Sequence, residues 1–216
     1  MIRFVLRFIF PFCILPGLAL GSRACAPAAP ALWHRLPSGT VAPPLWTNPM
    51  VFCTSFESKI GLIYIASTDL GVCKVALPRQ SKREFLRWLR ENFKDNEVVD
   101  NNSKNREVID QLSRYFNGRL AKFSLPVDLR GTPFQLRVWK ELTKISYGTT
   151  ISYKQLAKRL GTSRGFQAMG RANAANPVPI IVPCHRVMGA NGSLVGYASG
   201  VKTKEFLLRL EGALML

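Results

Sequence analysis

The sequence predicts an α+β fold in which a small α/β domain with an antiparallel sheet (residues 50–128) precedes a mostly helical domain (residues 129–216). Three observations carry that expectation. The 216 residues are 47% hydrophobic and 20% charged, enough apolar material for a real core. Short β-prone runs separated by turn residues fill residues 51–77. Beyond Arg130-Gly131 the spacing of apolar residues turns helical, and capping signals open the runs at Thr132 and Ser152.

In chain order, residues 1–49 differ from the rest. Arg3 and Arg7 flank an apolar stretch, residues 4–20, broken by Pro11 and Pro16, and a Pro/Ala-rich segment succeeds it. Two readings stand: an N-terminal extension of signal-peptide type, or a coding region whose true start is Met50. The second agrees better with the strand-like pattern that opens at Val51-Phe52. The stretch is too short and too interrupted to span a membrane, and no membrane partner is expected.

Residues 62–66 and 72–77 read as strands, with a turn at residues 67–71 between them. Residues 83–93 read as a helix, with Phe85, Leu86 and Leu89 at helical spacing. The polar stretch 95–105 is expected to be loop, residues 108–117 a second helix stopped by Gly118, and residues 123–129 a further strand. Then Thr132-Pro133-Phe134-Gln135 offers an N-cap, a proline at the first helical position and a glutamine three residues after the cap. Ser152-Tyr153-Lys154-Gln155 repeats the capping pattern and opens a short helix ending at Gly161. A further helix covers about residues 164–175, stopped by Asn176-Pro177. The pair fits a helix-turn-helix or an ordinary helical hairpin. In its second member Arg164 and Arg171 lie near one face with Gln167 and Ala168 between them. Gly170, Ala172, Ala174 and Ala175 keep the surface low, which suits a DNA groove or tight helix packing.

Charge narrows the partner. Lys and Arg total 30 against 13 acids, a formal charge of +17, spread along the chain; residues 50–216 alone keep 26 basic residues. A field of that sign favours a polyanion or an anionic surface. Cys13, Cys25, Cys53, Cys73 and Cys184 are irregularly spaced with no CxxC, which argues against a disulfide framework and a zinc ribbon and for a reducing compartment.

Residues 178–182 are apolar and bounded by Pro177 and Pro183, so they read as a buried strand or extended segment with Cys184 just beyond. A lone cysteine after an apolar strand is usually an inert core residue. Here His185 and Arg186 come at once after it, and His185 is the only histidine after residue 49. Adjacent side chains in an extended chain point apart, so a turn or a bridging water is needed for the imidazole to take the thiol proton. Such a base needs an orienting group, usually a carboxylate, which the residues alone do not name.

Pro183-Cys184-His185-Arg186-Val187, preceded by Asn176-Pro177-Val178-Pro179-Ile180, resembles the active-site signature of the O6-alkylguanine-DNA alkyltransferases, the methylated-DNA–protein-cysteine methyltransferases. The similarity covers about residues 132–212 and reaches more weakly back to Val51. It includes Thr132 to Gln135, Val138-Trp139, Ile151-Ser152-Tyr153, Gly196-Tyr197 and Glu211-Gly212. The resemblance implies a ribonuclease H-like first domain and a winged-helix, helix-turn-helix-like second one. It implies direct-reversal repair, in which the alkyl group of O6-methylguanine, and of O4-methylthymine, passes irreversibly to Cys184 in a single turnover.

Carried over by position, His185 acts on Cys184 through water, Glu211 holds the imidazole, Asn176 locks the cysteine segment to the preceding helix, and Tyr153 positions or protonates the extruded base. Val187, Tyr197, Ala198 and Ser199 form the base pocket; Arg164, Gln167, Ala168, Arg171 and Arg186 contact DNA. The partner implied is double-stranded DNA containing alkylated bases, bound by a cytoplasmic monomer, with no cofactor and no metal. Thr68 stands where some members carry a zinc-ligating cysteine, and Gln167 where the family usually has the arginine that fills the gap left by the extruded base. Other readings stay open on the residues alone: an alkylation-damage sensor, which would lack the cysteine; a cysteine hydrolase, which would need a distant histidine; and a plain helix-turn-helix regulator, which would leave the Cys-His-Arg run unexplained.

Overall fold

The structure, a computed structural model, describes residues 50–94, 96–162 and 166–214. The readings of residues 1–49 and of Arg164 lie outside these. β1 (Val51–Ser58), β2 (Gly61–Thr68) and β3 (Gly71–Ala76) form an antiparallel meander, and β4 (Val98–Asp100) adds to β1 in parallel, giving the order β3-β2-β1-β4. β4 corrects the expectation of loop over residues 95–105. Three residues paired as Val51↔Val98, Phe52↔Val99 and Cys53↔Asp100 are too short to show a period of their own. The strand expected at 123–129 is also corrected: the segment makes a single bridge, Val72↔Val127, because Pro126 has no N–H to donate. Gly71 permits that bridge, for a Cβ there would lie 2.4 Å from the Pro126 carbonyl oxygen.

Each face of the sheet is covered, which is why every residue of β3 is buried. On one face Val51, Ala66, Cys73 and Ala76 pack on Phe85, Leu89 and Phe93 of α1 (Lys82–Asn92) and its cap, a helix started by the reciprocal Ser81/Glu84 capping box. On the other, Ile63, Ile65, Val72 and Val75 belong to a larger core. That core runs through Leu112, Tyr115 and Phe116 of α2 (Arg106–Phe116) to Val138, Trp139 and Leu142 of α3 (Pro133–Leu142), and on to Leu207 of α6 (Val201–Leu210).

The second half is mostly helical. The Thr132/Gln135 box starts α3, and the Ser152/Gln155 box starts α4 (Tyr153–Arg159). α5 (Phe166–Ala174) is tied to α3 by the Trp139 indole, which donates to the Ala172 carbonyl at 2.8 Å. A two-residue parallel pair joins β5 (Ile151–Ser152) to β6 (Val187–Met188). That pair brings the start of α4 beside the segment just past Cys184. Among the described residues no helix is long and apolar enough to cross a membrane.

Candidate active site

Three prolines dictate the approach to the cysteine. Pro177, Pro179 and Pro183 fix φ and donate no hydrogen bonds, so residues 178–182 cannot build a strand ladder. The expected strand is corrected to a buried, looped segment. Ile180 takes φ 75°, the only positive value among the described non-glycine residues, while its side chain stays in the core. Asn176 closes the loop from both ends: Nδ2 donates to the Val182 carbonyl at 2.8 Å and Oδ1 accepts from Val178 N–H at 3.1 Å.

The chain then makes one 3-10 turn, Cys184–Arg186. With three residues per turn, successive side chains diverge by about 120°. Cys184 faces a cavity of about 270 Å³ bounded by Asn173 to Asn176, by Gly196 to Ser199 and, from the first half of the chain, by Lys74 of β3, Gln80 of the turn after it and Trp88 of α1. His185 takes a different direction, and its Nε2 lies 2.8 Å from Glu211 Oε1 in a pair fully removed from solvent. The histidine's Nδ1 is buried without a protein partner.

Glu211 is the hub of a buried network. Tyr115 Oη donates to Oε1 at 2.7 Å, and Arg186 donates from Nε to Oε2 at 2.8 Å and from Nη2 to Oε1 at 2.9 Å. Burial alone would raise the Glu211 carboxyl, but the hydrogen bonds and charges of His185 and Arg186 outweigh it and bring its pKa down to about 2. Burial depresses the His185 pKa below its ordinary 6.5, opposed by Glu211 and reinforced by the Arg186 and Lys204 charges, which favours the neutral ring near pH 7. Arg186 was expected on DNA and this is corrected. It is buried, ion-paired to Glu211 and bonded to the Ile145 carbonyl, so its charge serves the network.

Burial pushes the Cys184 thiol up; the Asn176 amide, the backbone, the Lys204 ammonium and the Tyr197 hydroxyl work against it. Lys204 was missed from sequence. Its Nζ donates to the Val187 carbonyl at 2.5 Å and the Val195 carbonyl at 3.1 Å, stapling both ends of the 188–194 segment, and desolvation lowers its pKa to about 8. The available signal was the last helix, where Lys204, Leu207, Leu208 and Glu211 recur at helical spacing, a charge at each end of an apolar stripe. Asn173, also missed, donates to Tyr153 Oη and to the Cys184 carbonyl.

Tyr153 opens onto a second cavity of about 740 Å³, which shares Ala174 and Gly196 to Ala198 with the first. Tyr197 and Ala198 line both cavities and Ser199 lines the smaller. Val187 lines neither of them: it is wholly buried, with its carbonyl taken by Lys204. On α5, Gln167 and Arg171 are exposed and Ala168 half-buried; Phe166, which sequence reasoning passed over, is 50% exposed.

Residues 51–129 match the family described as 6-O-methylguanine DNA methyltransferase, ribonuclease-like domain, and residues 133–213 match the corresponding DNA binding domain. The chain is 43% identical over 158 residues to a methylated-DNA–protein-cysteine methyltransferase of Methanosarcina acetivorans, covering 73% of this chain and 96% of that protein. A protein of the same description from Mycobacterium leprae is 39% identical over 163 residues, with 75% and 93% covered. Among solved structures, Mycobacterium tuberculosis OGT in complex with DNA superposes with a TM-score of 0.64 at 37% identity, covering 74% of this chain and 92% of that one.

Proposed function

The chain belongs to the 6-O-methylguanine DNA methyltransferase family, and from that premise we propose how its residues carry the reaction. It is a methylated-DNA–protein-cysteine methyltransferase, a DNA-binding protein that repairs DNA by direct reversal. Cys184 is the acceptor, and the lesions are O6-methylguanine and O4-methylthymine in duplex DNA.

The observation that carries this reading is the buried Nδ1 of His185. Glu211 holds the other ring nitrogen, so the neutral ring offers its lone pair on Nδ1. Through a water, that nitrogen takes the Cys184 proton, and the imidazolium is held against the Glu211 carboxylate. The Lys204 and Asn176 groups then favour the thiolate. An alkyl group on O6 lies inside the duplex, so the nucleotide is extruded into the cavities beside Tyr153 and Tyr197. Sulfur attacks the alkyl carbon, the C–O6 bond breaks, its electron pair stays with the base, and Tyr153 supplies the proton. The thioether has no hydrolytic group to release it, so each molecule acts once.

Arg171, Gln167 and Ala168 meet the DNA through α5. The protein works as a monomer in the cytoplasm, where reducing conditions suit its free cysteines; Cys53, Cys73 and Cys184 are all unpaired.

The test is intact mass after incubation with a duplex carrying O6-methylguanine or O4-methylthymine. One added methyl on the Cys184 peptide is expected, and none in Cys184→Ala. A methyl on another residue, or no transfer under reducing conditions, would overturn the assignment.

A further inference from the structure

Asn173 sits on α5 with 4% of its surface exposed, and its amide nitrogen lies between two oxygens: 3.3 Å from the Cys184 carbonyl and 3.2 Å from Tyr153 Oη. Neither cavity residue reaches the other directly in this arrangement; the amide is the link between them. The chemistry of the three groups then fixes the direction of each hydrogen bond. A backbone carbonyl only accepts, so the edge of the amide turned to Cys184 has to be the NH2. An NH2 only donates, so the Tyr153 oxygen has to accept. The phenolic hydrogen is therefore directed away from Asn173. A flipped amide would take the Tyr153 hydrogen on Oδ1, but would set that oxygen against the Cys184 carbonyl.

We propose that Asn173 is a positioning residue that makes Tyr153 the proton donor of the site, by occupying the acceptor side of its hydroxyl and the neighbouring Cys184 carbonyl together. The proposal rests on the alkyl-transfer reading and adds to it a residue which that reading did not contain. The same amide donates to the Cys184 carbonyl, so that acceptor is taken as well. With both taken, the hydrogen of Tyr153 is left for the cavity it lines with Gly196 to Ala198. As sulfur bonds to the alkyl carbon, the C–O6 bond breaks and its electron pair passes into the purine. The phenolic proton neutralises a ring nitrogen of that purine. The phenolate left behind keeps the Asn173 N–H as its donor until solvent returns a proton. The direction of the hydrogen bond makes the phenol a better acid, opposing the larger effect of burial.

The experiment compares single-turnover transfer from an O6-methylguanine duplex for wild type, Asn173→Leu, Asn173→Asp, Tyr153→Phe and the pair Asn173→Leu/Tyr153→Phe, with folding tracked by circular dichroism. Leucine matches asparagine in size without its hydrogen bonds; aspartate keeps the shape and reverses the donor. Both single changes at Asn173 are expected to slow transfer about 10-fold or more, a fraction of what a general acid contributes. The double variant is expected to be no slower than Tyr153→Phe alone, a non-additivity that a merely structural asparagine would not produce. Rates of Asn173→Leu or Asn173→Asp within twofold of wild type would overturn the proposal, as would additive losses in the double variant. If the wild type itself transfers no methyl to Cys184, the alkyl-transfer reading falls and this proposal falls with it.

Discussion

His185 Nε2 stands 2.8 Å from Glu211 Oε1, and because a carboxylate only accepts, this contact decides the tautomer of the ring. The proton sits on Nε2, and Nδ1 keeps the lone pair a base needs. Glu211→Gln preserves the shape but brings one acceptor oxygen to donors from His185, Tyr115 and Arg186. Transfer is expected to fall about 100-fold or more in single-turnover kinetics, the scale of lost general-base catalysis. Urea unfolding is expected to show a loss of roughly 3–5 kcal/mol, because the Arg186 guanidinium stays buried without its counter-ion. Activity within a few-fold of wild type would refute the role given to Glu211.

Tyr115 joins the first half of the chain to the chemistry of the second. Its hydroxyl donates to Glu211 Oε1 at 2.7 Å from a wholly buried position on α2. Tyr115→Phe removes that donor and leaves the ring packing intact. A hydrogen bond to a charged group stabilises by about 1.5–3 kcal/mol, so the urea midpoint is expected to drop accordingly. The transfer rate is expected to fall less than 10-fold, since His185 and Arg186 still hold the carboxylate. An unchanged midpoint would show that the contact contributes nothing.

Both helix starts at Thr132 and Ser152 were legible in the sequence because capping boxes are local, each a single residue spacing realised in four positions. The strands of the meander were legible for a similar reason. β4 was not, since its three residues owe their form to β1 rather than to their own pattern. The Cys184-His185 pair stood out as neighbours, but only tertiary structure could bring in Glu211, 26 residues away, and Tyr115, 96 residues from Glu211. Arg186 misled because a cation in a basic chain reads as a nucleic-acid contact until its carboxylate partner is located. Asn173 gave no sign beyond a polar residue within a helix, and its meaning depends on which atoms surround it.

Gln167 is exposed near the start of α5, where the resemblance to the family leads one to expect the arginine that fills the gap. Gln167→Arg adds a charge where the duplex is expected to lie, without touching the core. Transfer from duplex DNA is expected to accelerate several-fold, and transfer from the free O6-methylguanine base to stay unchanged, because only extrusion from the duplex needs the gap filled. Parallel rate measurements on the two substrates check this. Equal acceleration of both would assign the effect to the thiol site instead.

Acid should unfold the protein in two linked stages. His185 is depressed below its ordinary 6.5 and Glu211 is brought from 4.5 to about 2. In both cases the folded state binds fewer protons than the unfolded chain, so the stability they contribute is present above the ordinary value and is lost as pH falls through the folded one. Loss is therefore expected to begin below pH 6.5 with His185 and to continue from 4.5 towards 2 with Glu211. At about 1.4 kcal/mol per pH unit, the carboxyl contribution is on the order of 3 kcal/mol. Urea midpoints measured from pH 7 down to pH 3 test the slope. Glu211→Gln supplies the control, because it has no carboxyl to protonate and is expected to flatten the curve below pH 4.5. A wild-type curve as flat as that variant's would mean that the buried network does not hold the charged Glu211 on which the His185 tautomer depends.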